Sequence, residues 1–141
     1  FFDAEVQLAL DRGDARWLGP VNDAAKQQLL GGAEALLFPI RWDEPFGLVM
    51  TEALACGTPV IATRRASTPE VIRHGITGFL CDPAEPDPAS FLEAIRRLPH
   101  LDRRQCRLDV MHRFSVEAIG GQLLTVLEAL VAGEELAADP A

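Results

Sequence analysis

The densest chemistry in the sequence lies in the run Glu44-Pro45-Phe46-Gly47-Leu48-Val49-Met50-Thr51-Glu52, where two carboxylates bracket a glycine that opens an apolar stretch. A helix N-terminus presents unpaired backbone N–H groups and about half a positive charge. A glycine there lets an anion approach the backbone closely, so the turn at Gly47 is a natural place for a phosphate. Glu52 is the sole charged side chain between Glu44 and Arg64, and its neighbours Leu48, Val49, Met50, Ala53, Leu54, Ala55 and Cys56 are apolar. Such a helix is expected to be buried, and a carboxylate on it needs a hydrogen-bonding partner. Glu52 stands ~7.5 Å along the helix axis from Gly47 at 1.5 Å per residue. A nucleotide with its diphosphate at the helix start would bring a ribose to that carboxylate, as in dinucleotide sites. The same residue serves as well as half of a structural ion pair, and Glu44, ahead of a proline, as a solvated loop carboxylate. The spacing leaves both readings open.

These residues are positioned by alternating apolar runs and helical patterns. Residues 1–12 carry apolar side chains at helical spacing, and residues 15–19 (ARWLG) read as a short strand. Asn22 or Asp23 caps a helix over 23–31 that Gly31-Gly32 ends. Residues 35–40 (ALLFPI) and 59–63 (PVIAT) are continuous apolar runs that suit strands buried on both faces of a parallel sheet. A helix over 47–56 lies between them. Thr68-Pro69 starts a short helix, and residues 77–81 form the next strand. Residues 82–88 hold three prolines and read as a loop. Helices follow at about 91–98 and 100–112. Ser115 caps a last helix with Val116, Ile119, Leu123, Val126, Leu127 and Leu130 on one face. The expected division is a domain over 1–132 and a frayed tail over 133–141. Alternation of this kind implies a doubly wound α/β sheet. Ligands then bind beyond the carboxyl ends of the strands, at the loops after Ile40, Thr63 and Cys81.

The composition excludes other classes. The 141 residues are 48% hydrophobic and 24% charged, an ordinary globular balance. A net charge of −8 argues against a nucleic-acid partner, since such affinity rests on clustered cations. Arg96, Arg97, Arg103, Arg104, Arg107 and Arg113 interleave with Asp102 and Asp109 and read as a solvated helix face. Cys56, Cys81 and Cys106 are odd in number and lack metal-ligand spacing, which fits a reducing, cytoplasmic setting. No metal site is indicated. No apolar run approaches the ~20 residues that span a bilayer, and no signal-like segment opens the chain.

The run from Phe38-Pro39 through Glu44-Pro45-Phe46-Gly47-Leu48-Val49 and Glu52-Ala53 to Gly57-Thr58-Pro59-Val60-Ile61-Ala62-Thr63 resembles glycosyltransferase family four, the glycosyl transferases group 1. Two glutamates with seven residues between them in E-x-F-G-L-x-x-x-E-A, then G-x-P-V-I-A, carry that likeness. Leu18-Gly19, Pro69-Glu70-Val71-Ile72, Gly75-Ile76-Thr77-Gly78-Phe79-Leu80 and Phe114-Ser115 continue it over residues 1–131. The resemblance implies the Rossmann-like, nucleotide-sugar-binding half of a two-domain GT-B enzyme and retaining sugar transfer. It implies that Glu52 binds the ribose and that Glu44 meets the donor sugar and steadies the cationic transition state. Backbone N–H groups of Phe46, Gly47 and Leu48 would hold donor hydroxyls or the diphosphate. A UDP- or GDP-sugar is the implied substrate, with no cofactor and no bound metal.

Some features depart from the family pattern. Arg65-Ala66-Ser67 stands where the family often has glycines. Arg64 and Arg65 emerge at the ligand end, either to meet phosphate or as exposed loop residues. Val116 replaces the usual tryptophan. The acceptor domain and the first two strands of the donor domain, one bearing a diphosphate-clamping Arg and Lys, are absent. The strand at 35–40 should therefore expose an unpaired edge that invites association. The chain alone is expected to be inactive and to need that missing domain or a complementing chain as partner. Lipid acceptors would place the enzyme at the inner membrane face. Two other readings stand beside this one: a non-catalytic nucleotide-sugar-binding remnant or partner subunit, and a nucleotide-sugar epimerase of the same fold.

Overall fold

The computed structural model describes residues 6–82 and 88–133. Three parallel strands, β1 (Leu36–Phe38), β2 (Val60–Thr63) and β3 (Gly78–Cys81), form one sheet in the order β1-β2-β3. The helices are α1 (Gln7–Asp11), α2 (Asp23–Gly32), α3 (Leu48–Ala55), α4 (Thr68–Val71), α5 (Pro88–Arg97), α6 (Arg103–Phe114) and α7 (Val116–Ala132), with a 3-10 turn over Leu98–His100. Each strand lies inside an apolar run expected to form one. The tail expected over 133–141 falls, beyond Gly133, outside the described residues, as do residues 1–5 and 83–87.

Every residue of β2 is buried, which follows from its central place. Val60 and Ala62 face one side with Met50, Ala53 and Leu54 of α3 and Cys106 and Val110 of α6. Ile61 faces the other side with Phe79, Cys81 and, from α5, Phe91 and Ala94. Helices thus cover both faces, and alternation along the strand sends neighbours into opposite layers. Register pairs Val60 with Gly78. A Cβ at Gly78 would overlap the Val60 carbonyl oxygen, so the close approach of these strands requires glycine.

Residues 15–19 form no strand. They run as irregular chain with Trp17 72% exposed. A strand needs a neighbour to take its N–H and C=O groups, and among the described residues no strand pairs with this segment. β1 pairs only with β2 among the described residues, and Leu37 at that edge is half exposed.

Three of the four arginines of α6 do more than face solvent, although Arg103, Arg104 and Arg107 are exposed. Arg103 donates to Gly31 O and Ala33 O at the end of α2 and to Thr58 Oγ1. Arg107 donates to Ala55 O at the end of α3, and Arg113 to Glu70 O and Val71 O at the end of α4. The last carbonyls of a helix lack intrahelical donors and sit at its negative pole. One helix therefore closes the C-termini of three others. Asp109, with a side chain 7% exposed, orients Arg113 and pairs with Arg73.

Ser115 ends α6 in extended backbone and caps α7, its Oγ accepting the Ala118 N–H at 3.1 Å. α7 packs chiefly on α6 and buries none of its residues. The stretch Arg103–Ala132 is long and apolar enough, by length and composition, to cross a membrane. The extended backbone at Ser115 divides that stretch into two helices, of which α7 has 17 residues. The three cysteines are free, and burial pushes the Cys106 thiol up to about 11, as suits a packing residue.

Candidate functional site

Gly47 caps α3 in the left-handed region at φ +74°. A Cβ there would meet Met50 Cε at 2.7 Å, with Glu44 Cγ and Phe38 Cζ close by. Glycine is therefore what lets the loop after β1 turn into the helix. The Gly47 N–H donates to Glu44 Oε1 at 3.2 Å, and Trp42 Nε1 donates to Glu44 Oε2 at 3.0 Å. Both carboxylate oxygens are thus held beside the positive pole of α3. Leu48 and Val49, in the first turn, have no intrahelical acceptor for their N–H groups. Phe46 packs edge-on against Phe114 of α6, ring centroids 5.7 Å apart.

Glu52 lies one and a half turns along α3, but it is not buried. α3 turns Met50, Ala53 and Leu54 inward and leaves Leu48 69% exposed. An apolar helix was expected to be covered all round, and here one flank is open. Lys26 Nζ on α2 donates to Glu52 Oε1 at 2.6 Å, the two side chains being 34% and 37% exposed. Asp23 stands 3.3 Å from the same ammonium. Hydrogen bonds to Glu52 first and Asp23 second hold the Lys26 pKa above its ordinary value. Beside Glu52 is a cleft of about 220 Å³, lined by Thr51, Ala55, Val110, Met111, Phe114 and Ser115. That is below the ~300–1,000 Å³ of complete small-molecule pockets.

Of the loop arginines, Arg65 donates from Nε to Asp43 Oδ1 at 2.8 Å, which ties the loop after β2 to the loop after β1. Arg64 is exposed. Ala66 holds φ +47°, the left-handed region, at the place where the sequence pattern led one to expect glycine. Thr68 Oγ1 accepts the Arg65 N–H and donates to Thr63 O, which closes the same loop.

The structure brings Glu44, Phe46, Gly47 and Leu48 together at the carboxyl end of β1 and places Glu52 along the helix they open. Lys26, Trp42 and Asp43 escaped the sequence reading. Lys26 is 26 residues from its partner, and the one available signal was its standing as the chain's single lysine.

The sequence model of "Glycosyl transferases group 1" matches residues 4–114. The chain belongs to the glycosyl transferases group 1 family. It is 36% identical over 114 residues to the N-acetyl-alpha-D-glucosaminyl L-malate synthase of Bacillus anthracis, covering 78% of this chain and 29% of that one. It is 34% identical over 121 residues to an alpha-1,3/1,6-mannosyltransferase of Mus musculus, covering 82% and 28%. Among solved structures, Anabaena HepE in complex with UDP and glucose superposes with a TM-score of 0.69 at 25% identity, over 88% of this chain and 35% of that one. The chain therefore spans less than a third of either curated relative. Its three-stranded parallel sheet has the fold of the Rossmann-like half of a GT-B glycosyltransferase, with Glu44 in the loop before α3 and Glu52 in the middle of that helix.

Proposed function

We propose that this chain forms part of the donor-binding domain of a retaining glycosyltransferase that moves a sugar from a UDP- or GDP-sugar to an acceptor. The observation that carries the reading is the placement of Glu44, Gly47 and Glu52. Glu44 and Gly47 stand at the start of α3 and Glu52 along it, at the carboxyl end of the sheet, in the fold in which HepE holds UDP and glucose. Glu52 takes the ribose. Glu44 faces the donor sugar and offsets the positive charge that develops as the glycosidic bond breaks. The N–H groups of Phe46, Gly47 and Leu48 meet the donor hydroxyls or the diphosphate, whose charge the helix pole stabilises without a metal.

The open edge of β1, the exposed flank of α3 and the shallow cleft at Glu52 support a site that is one wall of a larger one. The acceptor domain, or a complementing chain, supplies the rest. In this reading the chain alone does not transfer sugar, and the reaction takes place in the cytoplasm, at the membrane face if the acceptor is a lipid. One observation favours a non-catalytic reading: Glu44 and Glu52 both have protein partners already, as structural carboxylates do.

Calorimetric titration with UDP and GDP, of the parent and of Glu52→Ala, tests the proposal. Circular dichroism establishes that each protein is folded. Binding by the parent and its loss in the variant support the reading. A folded parent that binds neither nucleotide rejects it for this chain.

A further inference from the structure

We infer that Lys26 is a positioning residue of the ribose subsite, one that holds Glu52 through a single oxygen and leaves the other for the nucleotide. This rests on the reading of Glu52 given above. The pair is not a loose surface contact. α2 buries no side chain completely, yet the turn following Lys26 is fastened at several points. Cys56 Sγ approaches Gln27 O, Thr58 Oγ1 donates to Leu30 O, and Arg103 donates to Gly31 O and Ala33 O. Thr58 is fully buried. The backbone that carries Lys26 is therefore fixed against the end of α3 and the start of β2, and its ammonium meets Glu52 Oε1 at 2.6 Å. Preorganisation of this kind is what a binding carboxylate needs from its neighbours.

The residue type matters. Lys26 is the one lysine among thirteen basic residues. An arginine tends to engage a carboxylate with a fork of two parallel N–H donors, whereas a lysine is a point donor. At a purely structural pair the fork would serve at least as well, and α6 shows this chain using arginine wherever a carbonyl is to be closed. At a carboxylate that must also accept from ribose hydroxyls, the fork would occupy both oxygens. Glu52 Oε2 has no partner among the described residues. Lys26 thus fixes the carboxylate and leaves its second oxygen available.

The experiment uses the full gene product that carries this chain and whichever of UDP or GDP binds it more tightly. Affinity for that nucleotide and for its 2′-deoxy form is measured in the parent, Lys26→Met, Lys26→Arg and Glu52→Gln. The parent should prefer the ribose form, and Glu52→Gln should lose that preference. Lys26→Met should lower affinity for the ribose form about five- to tenfold, the size of one charge-assisted hydrogen bond on a half-exposed group, with little change for the deoxy form. Lys26→Arg should keep the parent's melting temperature and still lose the preference. Parent-like discrimination in either Lys26 variant, beside its loss in Glu52→Gln, overturns the inference and leaves the donor-site reading intact. An equal loss for both nucleotides also overturns it, because α2 alone is then disturbed. A Glu52→Gln protein that discriminates like the parent, or a parent that binds neither nucleotide, removes the donor-site reading and this inference with it.

Discussion

The backbone N–H of Gly47 lies 3.2 Å from Oε1 of Glu44, so the carboxylate closes back over the first turn of α3. A charge fixed there is held in place before any sugar arrives. Glu44→Gln keeps an acceptor for Gly47 and removes the negative charge. In the full gene product it should slow sugar transfer on the order of 10²-fold, as loss of one preorganised electrostatic contact does. Nucleotide affinity should stay within about threefold. Steady-state rates and titration check this, and an unchanged rate removes Glu44 from the reaction.

Gly47 sits at φ +74°, and a Cβ would press on the flexible end of Met50. Met50 can move, so backbone strain is the larger cost of Gly47→Ala, about 1–2 kcal/mol. Denaturant unfolding should show a lower midpoint with an unchanged slope. An unshifted midpoint would mean that the turn relaxes out of the left-handed region.

Ala66 pays the same strain in the wild-type chain, at φ +47°. Ala66→Gly removes it but adds freedom to the unfolded chain, worth about 0.4–1 kcal/mol in the opposite direction. The net should be stabilisation of up to about 1 kcal/mol, because the strain is about 1–2 kcal/mol. A destabilised variant in the same unfolding experiment would contradict the geometry of this loop.

His74 Nδ1 accepts the Leu80 N–H at 3.0 Å, which requires the neutral ring. Partial burial, followed by the charges of Arg64 and Arg97, holds its pKa below the ordinary 6.5. The unfolded chain then binds the proton more readily than the folded one. The stability this group contributes is present above pH 6.5 and is lost as pH falls from there toward the folded value. His74→Asn keeps an acceptor and does not titrate. Melting temperatures at pH 7.5 and 5.5 should fall less in the variant than in the parent. Equal falls would show that the bond to Leu80 does not depend on the ring's charge.

The strands and the helix start were legible because they depend on local pattern. Residues 36–38, 60–63 and 78–81 are apolar runs of strand length, and Gly47 marks a turn that few other residues adopt. Residues 15–19 misled because apolar, β-compatible composition makes a strand only beside a partner. The apolar character of α3 misled in the same way: Leu48 is exposed because nothing in this chain covers that flank. The arginines of α6 read as solvated because their acceptors are backbone carbonyls of distant helices, which no side-chain pattern encodes. Lys26 and Glu52 were invisible as a pair for the same reason, since α2 meets α3 only once the sheet is formed.

Arg103 reaches back 72 residues to Gly31 and 70 to Ala33. Contacts so far apart in sequence are slow to make, because the chain must close a long loop before it gains from them. α2 sends the partly buried Leu30 against the core and buries no side chain fully. Its fastening therefore belongs to a late stage of folding, after β2 and α3 have come together. During synthesis, a nascent chain that ends before residue 103 already contains both glutamates and Lys26, yet lacks the clasp that seats α2 against α3. The helix that carries the lysine, already tied by Cys56 and Thr58, gains its last fastening when the first turn of α6 arrives.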